Sequence, residues 1–282
     1  MFNLTNEELY KYINEDLPYL DLTTHIQKDK QKKATLEIYT REDIIVACSE
    51  EAASIAKLLG CKVKEFKPSK TKLKKGEVIL KIKGTYENIQ QTLKLSQVLL
   101  EYSCKIATQT NNMLKIIKQH NSSCELLTTR KTIPFSKKMC IKAILCGGAL
   151  PHRLGLSESI LFFDYHRKLY SSNEEFYEQI TNFKKQLPEK KVIIESETLK
   201  DAKNLMKYKA DVIQLDKMPL DEIEKLVNYK NSNYPHIKLL VAGGINLSNV
   251  EKYAKLKVDG IVTSSIYSCG MANIGCNLKI KH

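Results

Sequence analysis

Residues 191–216, KVIIESETLKDAKNLMKYKADVIQLD, contain two apolar runs that resemble β-strands, with a helical stretch between them. The runs cover 191–195 and 211–216, and the helical stretch covers 198–208. Continuous apolar strands alternating with helices are typical of a parallel sheet covered by helices. Each run ends in a carboxylate, Glu195 or Asp216. The segment therefore predicts a βα architecture with polar groups at the ends of its strands.

The same alternation extends from about residue 122 to residue 264. Further strands are predicted at 124–129, 159–163, 237–244 and 259–264, and further helices at 136–146, 173–186, 219–229 and 247–255. The sheet is either open or closed as a barrel, and these lengths fit a barrel with somewhat fewer than eight strands. The overall fold class is thus α/β.

The preceding part of the chain has a mixed pattern. Apolar spacing predicts helices at Asn6–Ile13 and Ser49–Leu59, strands at 34–40 and 77–83, and a long helical stretch over 88–116 that bends or breaks near Cys104. We assign residues 1–105 to an N-terminal domain and residues 106–266 to the incomplete barrel. The C-terminal tail, residues 267–282, could pack against the first domain.

Composition excludes several classes of protein. The 282 residues carry 45 Lys+Arg against 32 Asp+Glu, a net charge of +13, but the lysines are scattered and lack interleaved aromatic residues. Nucleic-acid binding is therefore not expected. No run approaches the roughly 20 apolar residues of a membrane helix, and the N-terminus lacks signal-peptide features, so we expect a cytoplasmic protein without membrane contact. The 8 cysteines form no CxxC pair, which argues against a structural zinc site.

Cationic residues follow the first strands of the predicted barrel. Arg130 and Lys131 come after the run at 124–129, and His152 and Arg153 come shortly after Gly147-Gly148. Guanidinium and ammonium groups bind phosphate or carboxylate oxygens through charge-assisted hydrogen bonds. These residues form either an anion clamp or a solvated surface, and the glycine pair favours the clamp because it allows close approach of the backbone.

Later strand ends carry acids, glycines and a hydroxyl. Glu195 and Asp216 either bind a metal or substrate hydroxyls, or pair with an internal lysine, because a bare buried carboxylate costs several kcal/mol. Gly243-Gly244 ends a strand and opens a helix, which favours a phosphate, and Ser264 ends the last strand. Together these groups fit a sugar phosphate held with Mg²⁺.

At these residues the chain resembles the quinolinate phosphoribosyltransferase family, the carboxylating nicotinate-nucleotide pyrophosphorylases. The resemblance covers nearly the whole chain and includes DLTT at 21–24, TRKT at 129–132, PHRLGLSE at 151–158 and AGGI at 242–245. Within the family, VTSSIY at 262–267 most resembles the ModD branch, whose members are associated with molybdenum transport loci.

The resemblance implies an N-terminal α/β sandwich domain, an incomplete TIM-like barrel, and a homodimer whose subunits share the active site. It implies a pentosyltransferase that moves the ribosyl phosphate of phosphoribosyl pyrophosphate to a ring nitrogen with Mg²⁺ and releases pyrophosphate. Glu195 and Asp216 would hold Mg²⁺, directly or through water, and the ribose hydroxyls. The remaining residues would hold the substrate's carboxylates and phosphates: Arg130, Lys131, His152, Arg153, Gly243, Gly244 and Ser264.

Four positions depart from the quinolinate enzymes. Phe163 and Gln91 stand where the family has a lysine and an arginine, and Ala242 and Ser264 replace a serine and a glycine. Because two dicarboxylate-binding cations are missing, we expect an acceptor other than quinolinate. Two alternatives stay open: genuine quinolinate turnover in NAD biosynthesis, with Lys94 or Lys142 as the substitute cation, and a non-catalytic protein that binds a phosphometabolite or an oxyanion such as molybdate.

Overall fold

The computed structural model describes residues 1–281 and divides into two compact units. Unit 1 comprises Met1–Asn111, Thr132–Gly148 and the C-terminal segment from Tyr267, and unit 2 comprises Asn112–Lys131 and Ala149–Ile266. The elements up to residue 120 are α1 (Asn6–Asp16), α2 (Leu22–His25), β1 (Lys33–Thr40), β2 (Ile44–Ile45), α3 (Ser49–Leu58), β3 (Lys62–Phe66), β4 (Lys72–Leu73), β5 (Val78–Thr85) and α4 (Tyr86–His120).

The rest of the chain is mostly the predicted strand–helix alternation. Its elements are β6 (Glu125–Thr128), α5 (Lys137–Gly147), β7 (Leu150–Pro151), β8 (Ile160–Phe162), α6 (Asp164–Arg167), α7 (Asn173–Gln186), β9 (Val192–Ser196), α8 (Leu199–Lys207), β10 (Val212–Asp216), α9 (Leu220–Asn233), β11 (Lys238–Ala242), α10 (Val250–Ala254), β12 (Gly260–Thr263), a 3-10 turn (Ser265–Ser268) and β13 (Ile274–Ile280).

Unit 1 is built on an antiparallel sheet with the strand order β13-β1-β5-β3. Alternate residues of β1, among them Leu36 and Ile38, are fully buried, as period-2 patterning predicts. They share one core with side chains of α3 and α4, including Ala52, Ala56 and Leu100. The C-terminal strand β13 completes this sheet by pairing with β1. Sequence pattern did not indicate β3, because four of its five residues are exposed and it shows no alternation.

Helix α4 is continuous, so the predicted bend or break near Cys104 is wrong. The stretch 86–120 contains neither proline nor glycine. Its polar residues are satisfied along the helix: the Ser103 and Thr108 hydroxyls donate to the carbonyls of Leu99 and Cys104, at 2.7 and 2.6 Å. Hydroxyls bonded back to the preceding turn let a helix continue through polar positions that sequence pattern takes for a boundary.

Unit 2 is built on a parallel sheet with the order β7-β6-β12-β11-β10-β9-β8. Its seven strands are the six predicted ones plus β7, which is too short, at two residues, to produce an apolar run. Apolar side chains fill the interior, among them Leu161, Ile193, Val212, Leu240 and Val262. The expected fold class, an α/β chain with an incomplete parallel barrel and a second, antiparallel domain, is confirmed.

Within residues 1–281, no helix combines the length and the hydropathy needed to cross a membrane.

Candidate functional site

A cavity of about 450 Å³ opens at the carboxyl ends of the unit 2 strands. The nine residues predicted to bind the substrate or the metal all line it: Arg130, Lys131, His152, Arg153, Glu195, Asp216, Gly243, Gly244 and Ser264. Loops at the carboxyl ends of parallel strands meet on one side of a sheet, so residues far apart in the chain converge there. The cavity is therefore the candidate functional site.

The cationic side of the cavity is formed by residues that follow β6 and β7. Arg130 and Lys131 are exposed, whereas Arg153 is 6% exposed. In the described part of the chain no carboxylate lies within 4.0 Å of the Arg153 guanidinium, and its one hydrogen bond goes to the Ser159 carbonyl at 3.4 Å. The charge of Glu158 favours the protonated guanidinium, but Glu158 does not contact it. A buried guanidinium that no carboxylate contacts is costly, so this arrangement favours binding of an anion.

Burial and electrostatics distinguish His152 from its neighbour Arg153. Burial, and then the positive charge of Arg153, lower the pKa of His152 below its usual value, so the imidazole is neutral at pH 7. Burial and the charge of Arg130 lower the pKa of Arg153, which nevertheless stays protonated because an arginine titrates far above neutral pH. The buried positive charge here is therefore that of Arg153 alone.

Glu195 of β9 and Asp216 of β10 form the acidic side of the cavity, and Glu197, just after β9, lies beside them without lining the cavity. Carboxylate oxygens of Glu195, Glu197 and Asp216 lie within 4.8 Å of one another. Burial, and then the negative charge of Asp216, raise the pKa of Glu195. Clustered carboxylates that repel one another are the donor set of a divalent cation such as Mg²⁺, so these residues fit one.

Sequence reasoning missed Glu197, which ends no apolar run. The available signal was its spacing, because a residue two positions beyond Glu195 in an extended chain lies on the same face.

Gln214 is a second residue that sequence reasoning missed. It is 5% exposed, lines the cavity, and donates from Nε2 to Glu195 Oε2 at 2.8 Å. The register of β9 with β10 places these two residues side by side. A polar residue inside the otherwise apolar run VIQL was the available signal. Gln214 therefore positions the carboxylate and stabilises its ionised form.

Gln214→Met should raise the pKa of Glu195 further, because it removes the donor at nearly constant volume. If ionised Glu195 is needed for activity, the acidic limb of the pH–activity profile should move to higher pH. Gln31→Met, which removes an exposed donor to Glu87, is the matched control and should leave the profile unchanged. An unshifted profile for Gln214→Met would show that this hydrogen bond does not tune the site.

The turn after β11 requires glycine at position 243. Gly243 has φ +92°, and a Cβ there would lie 2.8 Å from the Lys217 backbone nitrogen and 2.9 Å from Asp216 Oδ1. Gly244 has φ +71° and faces open space. The expectation that this turn directly opens a helix is wrong, since α10 begins only at Val250 and has five residues. An anion here would be bound by amides of the turn, without support from a helix dipole.

Gly243→Ala should lower the free energy of unfolding more than Gly76→Ala. Gly76 has nearly the same φ, +93°, but no atom lies within 4 Å of its would-be Cβ. Backbone strain of about 1–2 kcal/mol is common to both variants, and the overlap adds about 1–3 kcal/mol at position 243. Chemical denaturation would measure the difference. Equal losses would mean that the turn relaxes away from Lys217 and Asp216.

Hydroxyl groups of the last residue of β12 and of the two residues after it complete the rim of the cavity. The Thr263 hydroxyl donates to the Ile245 carbonyl at 2.6 Å and lies 2.9 Å from the Ser265 hydroxyl. These bonds tie β12 to the glycine turn. Ser264, between them, is half-buried and lines the cavity.

The pair Gly147-Gly148, which the sequence suggested as part of the anion clamp, serves packing and helix termination instead. A Cβ on Gly147 would lie 2.5 Å from the Ala107 carbonyl oxygen, so this glycine allows α5 to approach α4 closely. Gly148, at φ +98°, ends α5. Neither lines the cavity, and the inference that the pair allows approach to a ligand is wrong.

Lys142 cannot supply the missing cation from its observed position. It is 1% exposed, and its ammonium binds Glu50, both oxygens of Glu51, and Asn3 at 2.7–3.1 Å. Lys94 is exposed and donates to Gln97. Neither lysine lines the cavity, whereas Phe163, at the position where the resemblance implied a lysine, does.

Comparison with known proteins accounts for nearly the whole chain. Residues 21–104 match the family model of the quinolinate phosphoribosyl transferase N-terminal domain, and residues 106–272 match that of its C-terminal domain. A protein of Pasteurella multocida named as a ModD pyrophosphorylase is 32% identical over 267 residues, 95% of each chain. The carboxylating nicotinate-nucleotide pyrophosphorylase of Dictyostelium discoideum is 26% identical over 294 residues, 96% of this chain and 94% of the other.

Solved structures share the fold. The nicotinate-nucleotide pyrophosphorylase of Francisella tularensis superposes with a TM-score of 0.87 at 24% identity, covering 99% of this chain and 98% of the other. The Streptococcus pyogenes NadC structure gives 0.87 at 21% identity and full coverage of both chains.

Proposed function

The chain belongs to the quinolinate phosphoribosyl transferase family of pentosyltransferases, and we propose that it transfers the phosphoribosyl group of phosphoribosyl pyrophosphate to a ring nitrogen of an acceptor other than quinolinate. In this reaction the bond between ribose C1′ and a pyrophosphate oxygen breaks, and its electron pair leaves with pyrophosphate. The lone pair of the ring nitrogen forms the new bond to C1′. The family supports a phosphoribosyltransferase function, and the cavity supports the rest of the proposal.

The observation that carries the proposal is the division of the cavity into a cationic and an acidic side. Arg130, Lys131 and the glycine turn would hold phosphate oxygens, which bind readily to guanidinium groups and free backbone amides. Glu195 and Asp216, on the opposite side, would face the ribose. Their negative charge stabilises the positive charge that develops at C1′ as pyrophosphate leaves.

A divalent metal fits the acidic side. Glu195, Glu197 and Asp216 would hold Mg²⁺ directly or through water, and the bound ion would supply charge neutralisation for pyrophosphate. The protein's own groups bind and orient the ribosyl phosphate, and most of the catalysis is positioning and electrostatic stabilisation.

Two features argue against quinolinate as the acceptor. Phe163 lines the cavity without offering a charge, and Lys142 is fully engaged by Glu50 and Glu51. A screen of heteroaromatic acceptors for pyrophosphate release from Mg-phosphoribosyl pyrophosphate tests the proposal. Release that depends on one acceptor and not on quinolinate is expected. Anion binding with no release from any acceptor would instead favour a non-catalytic binding protein, and release with quinolinate would identify an enzyme of NAD biosynthesis.

We also propose a homodimer that shares its active sites. Unit 1 exposes large apolar side chains in its N-terminal segment, with Tyr19, Leu22 and Ile26 each more than 70% exposed. Exposed apolar residues of this size, close together in sequence, are typical of an association surface. Sedimentation velocity should show a single dimeric species. The link to molybdenum transport stays a prediction that follows from the resemblance to the ModD branch.

A further inference from the structure

The two edge strands of the unit 2 sheet contribute to the same cavity. β7 and β8 stand at opposite ends of the strand order, yet the cavity is lined by His152 and Arg153, after β7, and by Leu161 and Phe163, in and after β8. The Arg153 guanidinium donates to the carbonyl of Ser159, just before β8, at 3.4 Å. The two edges of the incomplete barrel therefore form one side of the site, with residues after β7 on one flank of the gap and residues in and after β8 on the other.

The two sides of this gap differ in charge. The β7 side offers the buried guanidinium of Arg153, beside the neutral imidazole of His152. The β8 side offers only Leu161 and the half-buried ring of Phe163, which packs against the apolar interior of the sheet.

No cation follows β8 into the cavity in the described chain. The Arg167 guanidinium is bound to both carboxylate oxygens of Asp201, at 2.6 and 2.9 Å, and Lys168 is exposed. Neither residue lines the cavity.

Under the proposed function, the residues at the ends of the remaining strands bind phosphoribosyl pyrophosphate. β9 and β10 carry the carboxylates that would face the ribose, and the turns after β11 and β12, next to the exposed Arg130 and Lys131 after β6, would hold phosphates. The gap between β7 and β8 is left for the acceptor. It combines one buried positive charge with one apolar aromatic wall, and the Phe163 ring is fixed by stacking on His166 with centroids 5.5 Å apart.

We infer that the acceptor is a flat nitrogen heterocycle bearing a single anionic group, which binds Arg153 while the ring lies against Phe163 and Leu161. This inference rests on the proposed function and specifies the substrate class of the same site. A flat ring gains contact area against an aromatic side chain, and one carboxylate can bind the buried guanidinium of Arg153, which no carboxylate of the described chain contacts. A second carboxylate on the adjacent ring atom would be left without a partner beside Phe163, which disfavours dicarboxylates.

Calorimetric titration with two probes, pyridine-3-carboxylate and pyridine-2,3-dicarboxylate, tests the inference on the full chain. The wild type should bind the monocarboxylate at least about tenfold more tightly, the lower end of what an unmatched charged group costs. Phe163→Lys, which adds a cation to the apolar wall, should shift the ratio of dissociation constants toward the dicarboxylate by about tenfold or more. Phe163→Leu keeps the wall apolar and should retain the wild-type preference.

Tighter binding of the dicarboxylate to the wild type would overturn the inference, as would an unchanged ratio in Phe163→Lys or a failure of both probes to bind. The first and third of these outcomes need no variant, so they hold even if a substitution at position 163 disturbs folding. A separate titration with Mg-phosphoribosyl pyrophosphate reports on the transfer reaction itself. If the wild type did not bind Mg-phosphoribosyl pyrophosphate but still preferred the monocarboxylate, the transferase function would be refuted. The inference that the ligand carries a single anionic group would stand.

Discussion

Asp216→Asn and Glu195→Gln are each expected to slow acceptor-dependent pyrophosphate release by about 10²–10³-fold. Both substitutions remove a preorganised negative charge from the side of the cavity that would face the ribose, and losing one such electrostatic group typically has an effect of this size. Each also removes one of the three clustered carboxylates, so the requirement for Mg²⁺ should shift to higher concentration. Steady-state release of pyrophosphate measures both effects.

The control for these variants is Asp221→Asn. Asp221 lies in the same unit but is exposed, pairs with Lys225 at 2.9 Å, and does not line the cavity. Its loss should leave the rate unchanged. If Asp216→Asn and Asp221→Asn proved equally active, the carboxylates of the cavity would have no role in the chemistry.

Lys142→Met should lower the free energy of unfolding by about 3–5 kcal/mol, the cost of leaving a buried charge without its partner. Lys142 and Glu51 are each 1% exposed, and Glu50 also contacts the ammonium. Burial acts to lower the pKa of Lys142, but the hydrogen bonds and charge of Glu51 outweigh it, and the pKa is raised. Lys142 is therefore charged at neutral pH, and replacing it with methionine leaves the buried Glu51 without its ammonium partner.

Lys225→Met removes one member of an exposed pair and should change stability by no more than about 0.5 kcal/mol. The double variant Lys142→Met/Glu51→Met should recover part of the loss, because an apolar pair has no unmatched charge. Urea denaturation would measure all three variants. A loss below about 1 kcal/mol for Lys142→Met would mean that Glu51 reaches water or takes up a proton at little cost.

The unit 2 strands were predictable because burial on both faces makes each strand a continuous apolar run. β9 and β10 were located to within one residue at either end, and the acids at their ends were located with them. β7 and β3 were missed for opposite reasons, one being only two residues long and the other largely exposed. The predicted break in α4 failed because hydroxyls that bond to the preceding turn cannot be told from helix-ending polar residues by sequence alone.

The candidate site was predictable only as far as strand ends determine it. Glu197 and Gln214 were missed because their importance depends on neighbours across the sheet, Asp216 and Glu195, which only the strand register brings close. Gly147 was misread because a buried packing glycine and a ligand-contacting glycine look the same in a sequence. The ion pairs of Lys142 with Glu50 and Glu51 could not be predicted, because they connect residues about ninety positions apart and no local sequence pattern reports them.

Calorimetric titration of Mg-phosphoribosyl pyrophosphate into the wild type, Asp216→Asn and Asp221→Asn tests the central claim most directly. The wild type and Asp221→Asn should bind alike, and Asp216→Asn should bind about tenfold or more weakly, because the lost carboxylate no longer binds the ribose hydroxyls or the metal. No binding by the wild type would contradict the assignment of this cavity to ribosyl phosphate transfer.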